Sequence, residues 1–224
     1  MINSIFIIVL VFILSVKATT IQNENDLIKK LSEGIDDTLT INSDITISKN
    51  ITLSTSLNKL SIIGNSSTSK LTFNYPFRFN DNIEEIELKN VEVKGTLVFH
   101  NNKRVTFDNV VFNGNIDTEM NDYINEYIKF NNLTYRPIEN KSFNHCINIK
   151  GNVEIYNSKL YGSSTCQDRI LNFDGLKKYY LNIRNSYFSG EYQCSCISIT
   201  QSKKANIYYT NFEKGFSKKG LEGG

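Results

Sequence analysis

The chain alternates apolar and polar residues over short runs, breaks, and alternates again. Val105-Thr106-Phe107-Asp108 and Leu181-Asn182-Ile183-Arg184 put an apolar side chain at every second position and are rich in β-branched and aromatic types, the pattern of half-buried strands. Each run leads into a similar octet. LKNVEVKG (88–95), FDNVVFNG (107–114), IYNSKLYG (155–162) and IRNSYFSG (183–190) all read Φ-x-N-x-x-Φ-x-G, where Φ is apolar. Asn90, Asn109, Asn157 and Asn185 hold the third position, and Gly95, Gly114, Gly162 and Gly190 the eighth. A degenerate fifth copy has Ile207, Tyr209 and Phe212 in register, with Gly215 one residue late. Successive Asn positions are 19, 48 and 28 residues apart, and Tyr209 follows Asn185 by 24. The step of 48 is two steps of 24, so a weak copy or an insertion lies inside it.

Short strands that turn at Asn and again at Gly, with no two-residue Asn-Gly turn between complementary runs, do not form hairpins. They predict an all-β solenoid in which each repeat makes one coil and pairs in parallel with the coil below, about 4.8 Å away. Asn tolerates left-handed backbone angles at a sharp corner, and its amide can bond to the Asn stacked above it. Gly is expected at a second corner of positive φ. The flanking Φ residues are expected to point inward and stack on their counterparts.

This repeat resembles the right-handed parallel β-helix of the pectin lyase-like superfamily, whose coils carry an Asn ladder at one corner; the likeness spans about residues 38–215. The stretch 38–67, which ends in the turn Ile62-Ile63-Gly64-Asn65, is similar to the first coils of such proteins. Before it, residues 19–36 are expected to form an N-terminal cap: Leu27, Ile28 and Leu31 share one helical face, with Asn25 as N-cap and Gly34 as stop. The solenoid is expected over 37–224 with an insertion at about 115–144. Within it, Met120, Ile124, Tyr127 and Ile128 would fall on one helical face, so an inserted helix or loop is expected over 117–130. The final SKKGLEGG carries no capping helix, so either the solenoid continues in a longer protein, the reading we expect, or a partner covers an uncapped top coil.

Residues 5–16, IFIIVLVFILSV, are almost wholly apolar but too short to span a bilayer as a helix, which takes about 20 residues. They predict a signal peptide over 1–18, with Val16 and Ala18 before cleavage ahead of Thr19; the absence of Lys or Arg in MINS leaves an uncleaved anchor as the other reading. Four sequons, at Asn50, Asn65, Asn132 and Asn140, fit export and N-glycosylation. The formal net charge of the chain is +2, and removing Lys17 leaves +1, so charge points to neither nucleic acid nor a membrane surface. The expected product is secreted, extracellular or at the cell surface, and does not span a membrane once mature.

Cys146, Cys166, Cys194 and Cys196 suggest two disulfides, with three possible connectivities. Aligning coils puts Cys146 level with Ile170 and Cys196, hence two coils or about 9.6 Å from Cys196, beyond the Cα limit near 7 Å. Cys166 with Cys194, in neighbouring coils, is the expected pair. The spacing does not fit a zinc site, so no metal or cofactor is expected.

Catalytic signals are sparse. Hydrolases of the superfamily set carboxylates opposite one another, and here Asp-Asp occurs only at Asp36-Asp37, ahead of the repeats. Lyases of the superfamily hold Ca²⁺ on carboxylates and use an Arg or Lys base; Asp168, Arg169 and Asp174 are the local candidates, set against a solvated ion pair. His100 ends a strand, and His145 and Cys146, adjacent in a strand, point to opposite faces. Tyr179, Tyr180, Tyr187, Tyr192, Tyr208 and Tyr209 crowd the last coils and could stack on sugars or fill the core. The expected function is a non-catalytic module for binding, adhesion or scaffolding on polysaccharide or cell-surface protein. The alternatives are a polysaccharide lyase or glycoside hydrolase, and a structural component that assembles end to end.

Overall fold

The computed structural model describes residues 18–33, 37–51, 56–65, 69–119, 126–138 and 143–217. Its elements begin with β1 (Ala18–Ile21), α1 (Glu24–Glu33), β2 (Asp37–Ile41), β3 (Ile45–Ile47), β4 (Leu57–Gly64), β5 (Lys70–Phe73), β6 (Phe77–Phe79) and β7 (Ile83–Lys89). The middle coils hold β8 (Glu92–His100), β9 (Arg104–Asp108), β10 (Val111–Glu119), β11 (Tyr127–Asn131), β12 (Thr134–Arg136), β13 (Phe143–Lys150) and β14 (Val153–Tyr156). The last are β15 (Lys159–Tyr161), β16 (Cys166–Asp174), β17 (Tyr180–Arg184), β18 (Tyr187–Ser189), β19 (Ser195–Thr200), β20 (Lys204–Tyr208) and β21 (Asn211–Glu213).

Every pairing among these strands is parallel, so the chain is a β-solenoid. One face stacks β1-β2-β4-β7-β9-β11-β14-β17-β20. The other sheet divides after β10 into two limbs, β12-β15-β18-β21 and β13-β16-β19. The octet is legible in the register. Its first Φ builds the column Leu39, Ile62, Leu88, Phe107, Phe130, Ile155, Ile183, Ile207, and its second builds Leu71, Val93, Phe112, Tyr135, Leu160, Phe188, Phe212. All members but the last of each column are buried, and Ile207 and Phe212 are each 38% exposed because no described coil lies above them.

The Asn turns the chain between those two columns. Asn90, Asn109, Asn157 and Asn185 have φ of 51°, 55°, 51° and 52°. Asn132 is a fifth corner (φ 53°), with Phe130 and Tyr135 as its Φ residues, so a coil fills the 48-residue step. Pro137 stands where the other copies have Gly. The expected helix over 117–130 is therefore corrected: 117–119 belong to β10 and 127–130 to β11, where Ile128 and Phe130 are core residues, while 120–125 lie outside the described residues.

The glycines also differ from expectation. Only Gly95, of the four, has a positive φ (139°), and it bends β8 between the two limbs. Gly114, Gly162 and Gly190 answer to close approach: an added Cβ would lie 1.8 Å from the Gly95 carbonyl oxygen, 2.5 Å from Cys194 Sγ and 2.1 Å from the Cys194 carbonyl oxygen, respectively.

At the lower end, α1 buries Leu27 and Leu31 against the core. Its N-cap is Asn23, not Asn25: Asn23 Oδ1 accepts the Asp26 N–H at 3.0 Å, and Asp26 Oδ2 accepts the Gln22 N–H at 3.2 Å. β1 precedes the helix and already pairs with β2, from Ala18 with Thr38 to Ile21 with Ile41. The expected leader up to residue 17, the stop at Gly34, the Asn140 sequon and the tail 218–224 lie outside the described residues. No helix of the described residues is long and apolar enough to cross a membrane.

The disulfide expectation is corrected as well. Cys146 bonds to Cys166, with 5.3 Å between their Cα atoms, and the expected Cys166–Cys194 pair does not form. The coil alignment is the one expected, with His145 level with Arg169 and Arg169 with Ser195; between the partners of Phe143 and His145, β16 holds one extra residue, and Cys166, level with Phe143, lies at that irregularity. Cys194 and Cys196 are buried thiols, Cys194 in the space left by Gly162. Burial, outweighing contacts with the Gly190 and Glu213 backbones, raises the Cys196 pKa.

Candidate functional site

Strand patterning points every second residue outward, so chemistry on a solenoid is carried by outward positions and corners. In the lower coils several outward charges pair across neighbouring coils. Lys59 pairs with Glu87 at 2.9 Å, Lys89 with Asp108 at 3.0 Å, and Arg104 with both Glu85 and Glu126 at 2.6 Å each. Amide ladders continue the pattern, Asn131 to Asp108 at 2.8 Å and Asn172 to Asn148 to Asp117 at 2.9 Å each.

The upper coils are different. Residues 150–217 hold nine Lys or Arg and five Asp or Glu, a net of +4, whereas residues 37–149 hold eleven and thirteen, a net of −2. Among the described residues of the upper stretch the ion pair is Asp168 with Arg169. Arg169 turns onto its own neighbour, and Asp174 is engaged by the Leu176 N–H at 3.1 Å, so the expected lyase cluster is not assembled. Among the described residues no group of three or more His, Cys, Asp or Glu is placed to hold a metal. His100 ends β8, and of His145 the backbone alone is described.

Two grooves flank β17 and β20. The first, about 550 Å³, runs along the corner and is lined by Asn157, Asn185, Tyr187, Tyr209 and Thr210. Its floor is the end of the corner ladder. Asn109 donates to Asn90 and Asn132 to Asn109, each at 2.8 Å; Asn157 donates instead to Asn131 at 3.4 Å, and Asn185 to Asn157 at 3.5 Å. Above Asn185 the corner residue is Tyr209, with φ 50° and 81% exposure. The Arg184 guanidinium lies 5.9 Å from its ring centre. Tyr187 stands beside Tyr161, rings 5.8 Å apart, and its hydroxyl donates to Glu213, which raises the phenol pKa.

The second groove, about 480 Å³, lies where β17 and β20 begin, among Lys178, Lys203, Lys204, Tyr180, Asn182 and Asn206. No carboxylate lines it. Tyr180 pairs in register with Lys204, and Asn206 donates to Asn182 at 2.7 Å. Burial, then Glu154 one coil below, which accepts the Tyr180 hydroxyl at 3.4 Å, raise the Tyr180 pKa, so this phenol is neutral at physiological pH.

No family model matches the chain, and neither a curated protein nor a solved structure is similar to it.

Of the residues singled out in the sequence, the corner asparagines are brought together in the ladder, and Tyr187 and Tyr209 share a groove; Tyr179 is in the core and Tyr192 is exposed on a turn. Asn50 and Asn65 are exposed, and Asn132 is both a sequon and a ladder member. The three lysines escape sequence reading because they come from two different coils, Lys178 and Lys203 from turns and Lys204 from the start of β20. The available signal was the excess of Lys after residue 150.

Proposed function

We propose that this chain is a non-catalytic secreted or surface β-solenoid, of the right-handed pectin lyase-like type, that binds glycan along the corner groove of its upper coils. Tyr209 carries the reading. In the five coils below, the same corner is Asn, which accepts a positive φ; a bulky residue there costs about 1–2 kcal/mol of backbone strain. A strained, exposed ring beside Tyr187 and the amides of Asn157 and Asn185 is the combination that stacks on a sugar face and bonds its hydroxyls. Support for export comes from the apolar leader, the sequons and the Cys146–Cys166 disulfide. Support for binding without chemistry comes from Arg169, held by Asp168 instead of facing a set of carboxylates.

The test is Tyr209→Asn. It relieves the corner and extends the ladder, so the thermal midpoint should rise by about 2–8 °C, given roughly 2–4 °C per kcal/mol in a chain of this size. Binding on an array of neutral and charged glycans should fall to background. A variant that keeps its glycan binding removes the proposal.

A further inference from the structure

We propose that the lysine groove is a site for tetrahedral oxyanions, taking the sulfate or phosphate esters of a glycan that also lies along the corner groove; the inference rests on the glycan reading above. The backbone holds the three cations in place. Lys203 donates its N–H to the Tyr179 carbonyl at 2.9 Å and Lys178 to the Gly175 carbonyl at 2.9 Å, while Lys204 is in the ladder between β17 and β20. None of the three forms an ion pair with a described residue, in contrast to the coils below, where Lys59, Lys89 and Arg104 all do. Three ammonium groups around one recess repel one another, and an anion placed among them turns that repulsion into attraction.

The kind of cation selects the anion. A guanidinium presents a planar fork matched to a planar carboxylate, whereas an ammonium is a compact point charge that several copies can aim at the oxygens of one sulfate or phosphate. The groove has Lys only, with the amides of Asn182 and Asn206 beside it to meet hydroxyl groups. Its outlet favours a polymer over a membrane. β20 runs from Lys204 through Asn206 to Tyr208, and Tyr209 follows, so five residue steps at about 3.3 Å, some 17 Å, carry a ligand from the lysines to the corner groove. A lipid headgroup surface is flat and would not follow a recess that turns onto a strand.

The experiment measures binding of the exported chain to dextran sulfate and phosphorylated dextran, with neutral dextran, polygalacturonate and phosphatidylserine vesicles as comparison arms. Binding to the first two is expected, weakening with salt, and the triple variant K178A/K203A/K204A should lower the affinity at least about tenfold. A control, K29A/K49A/K94A, removes the same charge from exposed positions elsewhere and should leave binding within about twofold. In the unaltered chain, dextran sulfate should protect Lys178, Lys203 and Lys204 from acetylation read by mass spectrometry, a result independent of how the variants fold. Equal weakening by the control, equal lysine-dependent binding of polygalacturonate, or binding to vesicles alone each overturns the inference. The two proposals separate: Tyr209-dependent binding of neutral glycan that is indifferent to the lysines sinks this one alone, and lysine-dependent binding indifferent to Tyr209→Asn sinks the corner reading.

Discussion

Asn109 is the corner where the backbone and side-chain contributions separate most cleanly. Its φ is 55°, its amide donates to Asn90 and its carbonyl accepts from Asn132, both at 2.8 Å, and the side chain is exposed. Asn109→Ala loses both bonds, about 0.5 kcal/mol each at an exposed site, and puts a Cβ without local compensation into the left-handed region, about 1–2 kcal/mol more. The expected cost is about 2–3 kcal/mol. Asn109→Gly loses the same bonds and removes the strain, but its unfolded chain is freer by about 0.4–1 kcal/mol, so it should cost about 1–2 kcal/mol and stay above Ala by about 1. Asn113→Ala, an outward mid-strand position with one long bond of 3.4 Å to Glu92, should cost under about 0.5 kcal/mol. Urea unfolding followed by far-UV circular dichroism and tyrosine fluorescence, with twelve tyrosines and no tryptophan, reads all three. Equal midpoints for Ala and Gly would refute the corner argument, and a Gly variant equal to wild type would remove the ladder from it.

Three further outcomes are expected. Gly114→Ala drives a Cβ into the Gly95 carbonyl of the coil below, at 1.8 Å, with the buried Phe112 ring at 3.0 Å, so it should destabilise by about 3 kcal/mol or more; soluble yield and thermal midpoint report it, and a midpoint within a degree of wild type contradicts the close-packing account. Cys166→Ser opens a loop of sequence separation 20 and should cost about 3 kcal/mol, and peptide mapping of the unreduced chain should recover Cys146 linked to Cys166; a link from Cys166 to Cys194 would show the coils aligned otherwise. Glu87 is partly buried, which opposes ionisation, yet bonds from Ser61 and Lys59 outweigh that and hold its pKa below the ordinary value. A depressed carboxyl contributes stability above the unfolded pKa of about 4.3 and loses it as pH falls through the folded value, so Glu87→Gln should flatten the acid limb of the midpoint-against-pH curve, and parallel curves would count against the interaction.

What could be read from the sequence was what repeats. The two Φ positions of the octet become two vertical columns because parallel coils in constant register put equal positions over one another, and the Asn between them meets the left-handed corner at every copy. Asn132 escaped because its copy ends in Pro137, and the octet was defined by a final Gly. The helical reading of 117–130 failed for a related reason: inward residues of two strands joined by a short connection fall by chance at helical spacing, and β10 and β11 meet that condition with Ile116, Thr118, Ile128 and Phe130 buried. The disulfide joins Cys146 to a residue whose register partner is Phe143, and nothing in the spacing of cysteines records that local irregularity.

The candidate site was less legible because the repeat constrains the inside of the coil and leaves the outside free. Tyr209 stands at an Asn corner, and Lys178, Lys203 and Lys204 line one groove with no carboxylate among the described residues that form it. Either departure alone has a structural reading, since the last described coil has fewer neighbours to satisfy. Their coincidence argues otherwise. Both costs, a strained corner and unneutralised like charges, fall at opposite ends of β20, joined by outward Asn206 and Tyr208, and in the five coils below the same corner is Asn. Positive φ also occurs on turns at Leu176, Lys177, Glu191, Tyr192 and Gln201, so strain alone does not mark a site; a ligand lying along β20 requires the exposed ring and the unpaired charges in line. Saturation substitution of outward positions in β17 to β21, scored for stability and for glycan binding, tells the two apart: positions where stability rises as binding falls should lie on that one line and not on the limb formed by β18 and β21.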